Sequence, residues 1–140
     1  MTRGQIVTLL TSRHEAFERR DLRKLVGLYS EECVLESPMA GTVSGRAAIE
    51  QAFQAMFTAF PDLVYTSDEI LIDGDRVAQT LTLVGTDIGG FMGLPPTAKR
   101  FRTPVVVLST IKDEHIVAER RIYDFTGVLM QVGVLKARPV

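Results

Sequence analysis

Beyond Pro61 the chain reads as strands that come in pairs, and this pairing limits its possible folds more than any other feature. Leu63 to Ile72 and Arg76 to Thr86 flank Asp73-Gly74-Asp75, and Asp-Gly is a strong hairpin signal because both residues tolerate positive φ. Arg102 to Lys112 and Ile116 to Phe125 flank a second tight reversal at Asp113-Glu114-His115. Two hairpins make a mainly antiparallel sheet, and such a sheet needs a cover for its apolar face. The cover lies just upstream: Ile49, Phe53, Met56, Phe57 and Phe60 form one helical stripe, with Ser44 placed to cap it and Pro61 to end it.

Two further helices precede this one. Ile6, Leu9, Leu10 and Phe17 mark the first, between Gln5 and Arg20, with His14 on or beside the stripe. Asp21 caps the second, whose buried face is Leu22, Leu25, Val26 and Tyr29. Cys33 to Pro38 has strand propensities and is stopped by its proline, and Met39 to Val43 reads as a loop. Gly127 to Lys136 has the spacing of a short closing helix, weakened by two glycines. The predicted fold class is α+β, with helices on one face of a strongly curved, mainly antiparallel sheet, as a single domain over residues 1–140.

Sixteen basic residues against seventeen acidic ones leave a formal charge of -1 and no face able to track phosphates, which argues against nucleic acid as a partner. Arg19-Arg20-Asp21-Leu22-Arg23-Lys24 reads as a solvated helix end. One cysteine, Cys33, rules out an internal disulfide, and the missing oxidising signature predicts a cytoplasmic location. The first residues run straight into an amphipathic pattern rather than a signal-type apolar core, and no apolar run approaches membrane-spanning length. Neither export by that route nor membrane insertion is expected. His14 and His115 lack further ligands at metal-like spacing, so no metal is called for. Cys33 in an apolar strand reads as an inert thiol, the serines sit in no nucleophile-elbow context, and the glycines from Gly89 to Gly93 lack the Gly-Lys-Ser/Thr ending of a phosphate loop.

The long connection from Gly85 to Arg100 carries Phe91, Met92 and Leu94 and the pair Pro95-Pro96. Loops beyond about 12 residues are uncommon unless they cover or line a site, so this one is expected to form part of a pocket wall. Strict alternation in the last strand puts Ile116, Ala118, Arg120, Ile122 and Asp124 on one face and Val117, Glu119, Arg121, Tyr123 and Phe125 on the other. The first set is expected to face the pocket, and Glu119 and Arg121 to face solvent or a second subunit. Asp124 among apolar neighbours is the candidate general acid or base. Two other readings stay open for it, an ion pair with Arg120 or a cap on the segment that follows.

Gly85-Thr86-Asp87, Gly89, Phe91 to Thr97 and Lys99 together resemble the loop of the SnoaL-like polyketide cyclases, within the nuclear transport factor 2-like superfamily. Leu28 to Val34, Gly45 to Ile49, and Tyr123-Asp124 with Gln131-Val132-Gly133 fit the same pattern. The resemblance implies a cone-shaped sheet wrapped around a long helix, an apolar cavity and a homodimer. It also implies a cofactor-free aldol-type closure or related proton transfer, with Asp124 as acid and base on a small hydrophobic carbonyl compound. Ser37, Phe57, Phe60, Met92, Leu94, Ser109 and Arg120 are the residues expected around that substrate. The alternative is a non-catalytic module that holds a small apolar ligand in the same cavity. The chain departs from the family pattern where histidine often stands, at Asp87, and where glycine often stands, at Ala98.

Overall fold

The computed structural model describes residues 1–136. Four helices and six strands follow in the order α1 (Arg3–Glu18), α2 (Leu22–Gly27), β1 (Tyr29–Ser37), β2 (Gly41–Ser44), α3 (Arg46–Ala59), β3 (Val64–Asp73), β4 (Arg76–Thr86), β5 (Arg100–Lys112), β6 (His115–Tyr123) and α4 (Phe125–Gln131). The strands make one curved, unclosed sheet in the order β2-β1-β6-β5-β4-β3. Every neighbouring pair is antiparallel except β1 with β6. The fold is α+β, as the hairpin signals and the helical stripe predict.

Local chemistry accounts for the element ends. Thr2 and Gln5 form a reciprocal capping box on α1, and Asp21 caps α2 through the Lys24 amide. At the start of α3 the cap is Gly45 rather than Ser44, with φ of 87° and no side-chain hydrogen bond. That positive φ explains the glycine. Met39 to Val43, read as a loop, instead turns tightly so that Gly41–Ser44 pairs with β1 as a short edge strand. Tyr29, read as part of the second helix, begins β1 and is fully buried.

Ile49, Phe53, Phe57 and Phe60 of the predicted stripe join the main core, with Met56 packed against its edge. Arg20 is not a merely solvated helix end. Its guanidinium lies 4.4 Å from the Phe57 ring and donates to the carbonyls of Pro61 and Leu63, which ties the α1–α2 junction to the start of β3. Cys33 is buried, and that burial pushes its thiol pKa up to about 12, in keeping with an inert side chain. Among the described residues no helix is long and apolar enough to cross a membrane.

A bulge in β6 decides which of its side chains face inward. Ile111 of β5 pairs with Ile116, but Thr110 pairs with Ala118, so Val117 is an extra residue against one step of β5. An extra residue breaks the period of two and exchanges the faces of the strand beyond it. Ile116 points inward before the bulge; Glu119, Arg121 and Tyr123 occupy the inner face after it, opposite Ser109, Val107 and Val105 of β5. The expected assignment of faces is therefore corrected: Arg120 and Ile122 point outward, whereas Glu119 is only 2 % exposed.

Candidate active site

Between the inner face of the sheet and α3 lies a cavity of about 80 Å³, walled mainly by apolar side chains such as Phe53, Phe60, Leu81 and Phe101. Its polar lining comes from Arg13 of α1, Ser37 at the end of β1, Tyr65 of β3, and Arg121 and Tyr123 of β6. None of the lining residues is an acid. Met39 and Ala40 of the β1–β2 turn, Met56 of α3 and Phe125 of α4 complete the wall.

Behind this polar edge stands a buried ionic cluster. Glu119 Oε1 accepts from Arg13 Nη1 at 2.7 Å and from the Tyr29 hydroxyl at 2.9 Å, and its Oε2 accepts from Arg121 Nε at 2.9 Å. The Glu119 side chain is inaccessible, that of Arg13 is nearly so, and that of Arg121 is partly exposed. Burial alone would raise the Glu119 pKa; the two guanidinium groups and the hydrogen bonds outweigh it and hold the carboxyl below its usual range. Burial, and then the carboxylate beside it, push the Tyr29 phenol upward, so it stays a neutral donor. Burial is the largest single effect on Arg13 and opposes its charge, but Glu119 together with Tyr29 and Tyr65 outweighs it and raises the pKa.

Sequence reasoning passed over this cluster because a bulge cannot be seen in the alternation of β6. One signal was available in α1. Arg13 continues the spacing of Ile6, Leu9 and Leu10 along the buried stripe, where an arginine is out of place unless something inside receives its charge.

The expected site residues scatter. Ser37 and Phe60 line the cavity, and the Ser37 hydroxyl also accepts from the Ala40 amide at 3.0 Å to hold the turn. Phe57 is not part of the lining; it packs edge-on to Phe17 with centroids 5.0 Å apart, under Arg20. Ser109 is buried on the inner face opposite Glu119, but it is not part of the lining either. Arg120 lies on the outer face, largely exposed, 3.8 Å from Glu36. Asp124 ends β6, is exposed and caps α4, its Oδ1 accepting from the Gly127 amide at 2.9 Å. It stands between Tyr123 and Phe125, which both line the cavity, while Asp124 does not. Of its three open readings, the capping one matches its position, and no ion pair with Arg120 forms.

The long loop is held by Asp87 rather than by contact with that cavity. Asp87 is fully buried and accepts from the amides of Gly90 and Thr97, both at 3.1 Å, and from the Thr97 hydroxyl at 3.0 Å. A carboxylate here therefore serves the loop's own fold. Phe91 wedges against Phe60 with centroids 5.3 Å apart. Met92 and Leu94 are exposed, at 62 % and 40 %, and border a separate surface depression with Met39, Ala40 and Ala52. As a wall of the inner cavity the loop is replaced by the β1–β2 turn.

A curved sheet cupped over a long helix, with a cavity at its inner face, is the architecture of SnoaL-like and nuclear transport factor 2-like proteins. The chain belongs to the SnoaL-like polyketide cyclase family, whose profile matches residues 8–132. It is similar to AclR of Streptomyces galilaeus, a candidate hydroxylase, at 27% identity and a TM-score of 0.84 over 99% of this chain and 91% of that one. It is also similar to IdmH of Streptomyces antibioticus, a candidate polyketide cyclase, at 30% identity and a TM-score of 0.77 over 91% of this chain and 97% of that one. TsrD of Streptomyces laurentii shares the fold at 22% identity and a TM-score of 0.85, over 96% of this chain and 99% of that one. No protein of curated function matches the chain.

Proposed function

We propose that the inner cavity is where this chain takes up a small hydrophobic carbonyl compound, and that it carries out a cyclase-type proton transfer there, without a cofactor, using Asp124 as acid and base. One observation supports this most: Asp124 lies in the chain between Tyr123 and Phe125, which both line the cavity, with Oδ1 committed to the α4 cap and no hydrogen bond to Oδ2 among the described residues. A carboxylate so placed abstracts a proton from a carbon acid only if the bound molecule is held within hydrogen-bond reach. The cavity's 80 Å³ equals about five to eight water-sized volumes of about 10–15 Å³ each, so a ring-sized substrate enters by displacing the adaptable methionines of the lining, Met39 and Met56.

A second reading, a non-catalytic ligand-binding module, is favoured by a separate observation: the lining holds no acid and Asp124 faces solvent. The variant Asp124→Asn separates the two. It retains an oxygen for the cap, so the melting temperature is expected to stay near the parent's while turnover of a ring-closing carbonyl substrate falls about a hundredfold or more. Unchanged turnover removes Asp124 from the chemistry. Tight binding of such compounds by the parent without any turnover favours the binding module.

The outer face of the sheet exposes Val34, Leu71 and Ile122. We propose that a second copy of the chain covers it in a homodimer. Val106 and Leu108 of β5 are partly exposed, whereas Val105 and Val107, which alternate with them, belong to the core.

A further inference from the structure

The ionic cluster carries one more positive than negative charge. Arg13 and Arg121 converge on a single buried carboxylate, Glu119, while the phenol beside it is neutral. A surplus charge out of water is costly unless something compensates it, and no acid lines the cavity that both arginines border.

The geometry of Arg121 shows where compensation would come from. Its Nε is spent on Glu119, and among the described residues neither Nη nitrogen donates to any protein group. No buried side-chain nitrogen or oxygen is left without a partner, so these two nitrogens are not sealed in; they border open space, and Arg121 lines the cavity. The guanidinium is positioned on two sides, by Glu119 and by the face of Phe53 at 4.9 Å. A planar fork fixed in this way and left with free N–H groups matches a carboxylate with two parallel hydrogen bonds. The apolar walls accept the rest of the molecule.

We propose that Arg121, backed by Glu119 and Arg13, is an anion-binding subsite, and that the ligand of this cavity is an apolar acid that enters with its carboxylate toward Arg121. Glu119 acts as a positioning residue here, since it fixes the arginine without touching the ligand. The inference rests on the reading that the cavity is the ligand site.

The test titrates the intact chain with 3-phenylpropanoate and its neutral counterpart 3-phenylpropanamide by calorimetry, in the parent, Arg121→Gln and Arg120→Gln. Arg120→Gln removes the same charge one residue away on the outer face. The parent and Arg120→Gln are expected to bind the acid about tenfold more tightly than the amide, and Arg121→Gln to lose most of that preference. Equal binding of acid and amide by the parent overturns the subsite and leaves the cavity reading standing. A preference lost in Arg120→Gln and kept in Arg121→Gln also overturns it. Failure of both probes to bind removes the cavity reading and the subsite with it. Should Arg121→Gln not fold, nuclear Overhauser contacts from the bound acid's methylene next to the carboxylate decide: contacts to Arg121 support the subsite, and contacts confined to residues outside the cavity overturn it.

Discussion

Glu119 is the residue on which most of the inner electrostatics depend, and its dependence on pH has a definite sign. Its pKa in the folded chain lies below the unfolded value, so the stability it contributes is present above about pH 4.5 and is lost as pH falls through the lower folded value. Removing the charge leaves two guanidinium groups buried without their counter-ion, a loss of about 3–5 kcal/mol for a broken buried pair. Urea unfolding of Glu119→Gln against the parent is expected to show a gap of that size at pH 7 that narrows steadily below pH 4. A gap independent of pH would mean that the carboxylate is not ionised in the native state. At this scale the sequence was only partly legible. The outlying Arg13 in an apolar stripe could be seen, whereas the inward turn of Glu119 and Arg121 depended on one extra residue in β6.

The long loop between β4 and β5 shows how an element without regular structure is specified. Ile88 and Gly89 donate to the Ala59 carbonyl at 3.1 and 3.0 Å and so dock the loop on the end of α3. A Cβ at Gly89 would stand 1.9 Å from the Thr58 carbonyl oxygen, which explains glycine at that position. Asp87 then closes the loop's two ends, since its backbone also pairs with Ala98 and Lys99. Replacing Asp87 by alanine removes the acceptor of the Gly90 and Thr97 amides, at about 1–3 kcal/mol for each buried donor left unsatisfied. Hydrogen exchange is expected to quicken at Gly90 and Thr97 first, while exchange in β5 changes little. Uniform loss of protection across the sheet would show instead that the loop folds as one unit with the core. The loop's length and three apolar side chains were evident in the sequence, but its function as a wedge against Phe60 was not, because that contact is with a residue far away in the chain.

Across the whole molecule, the outer face of the sheet links the fold to the proposed dimer. Sedimentation at micromolar concentration is expected to give a species of twice 15.5 kDa, and Ile122→Glu, which places a charge on that face, to shift it to the monomer. A parent that sediments only as monomer contradicts the proposal. Local chemistry already determined the classes of the elements: Gly74-Asp75 supplied a tight reversal, period-3.6 apolar residues supplied a long covering helix, and capping residues supplied the starts of α1, α2 and α4. These signals act over a few residues, so no tertiary information was required to read them. The direction of each side chain on β6 and the meeting of Arg13, Tyr29, Glu119 and Arg121 were decided by tertiary structure alone. A single inserted residue exchanges the faces of a strand, and groups separated by about a hundred positions are brought together only when the sheet curves over the first helix.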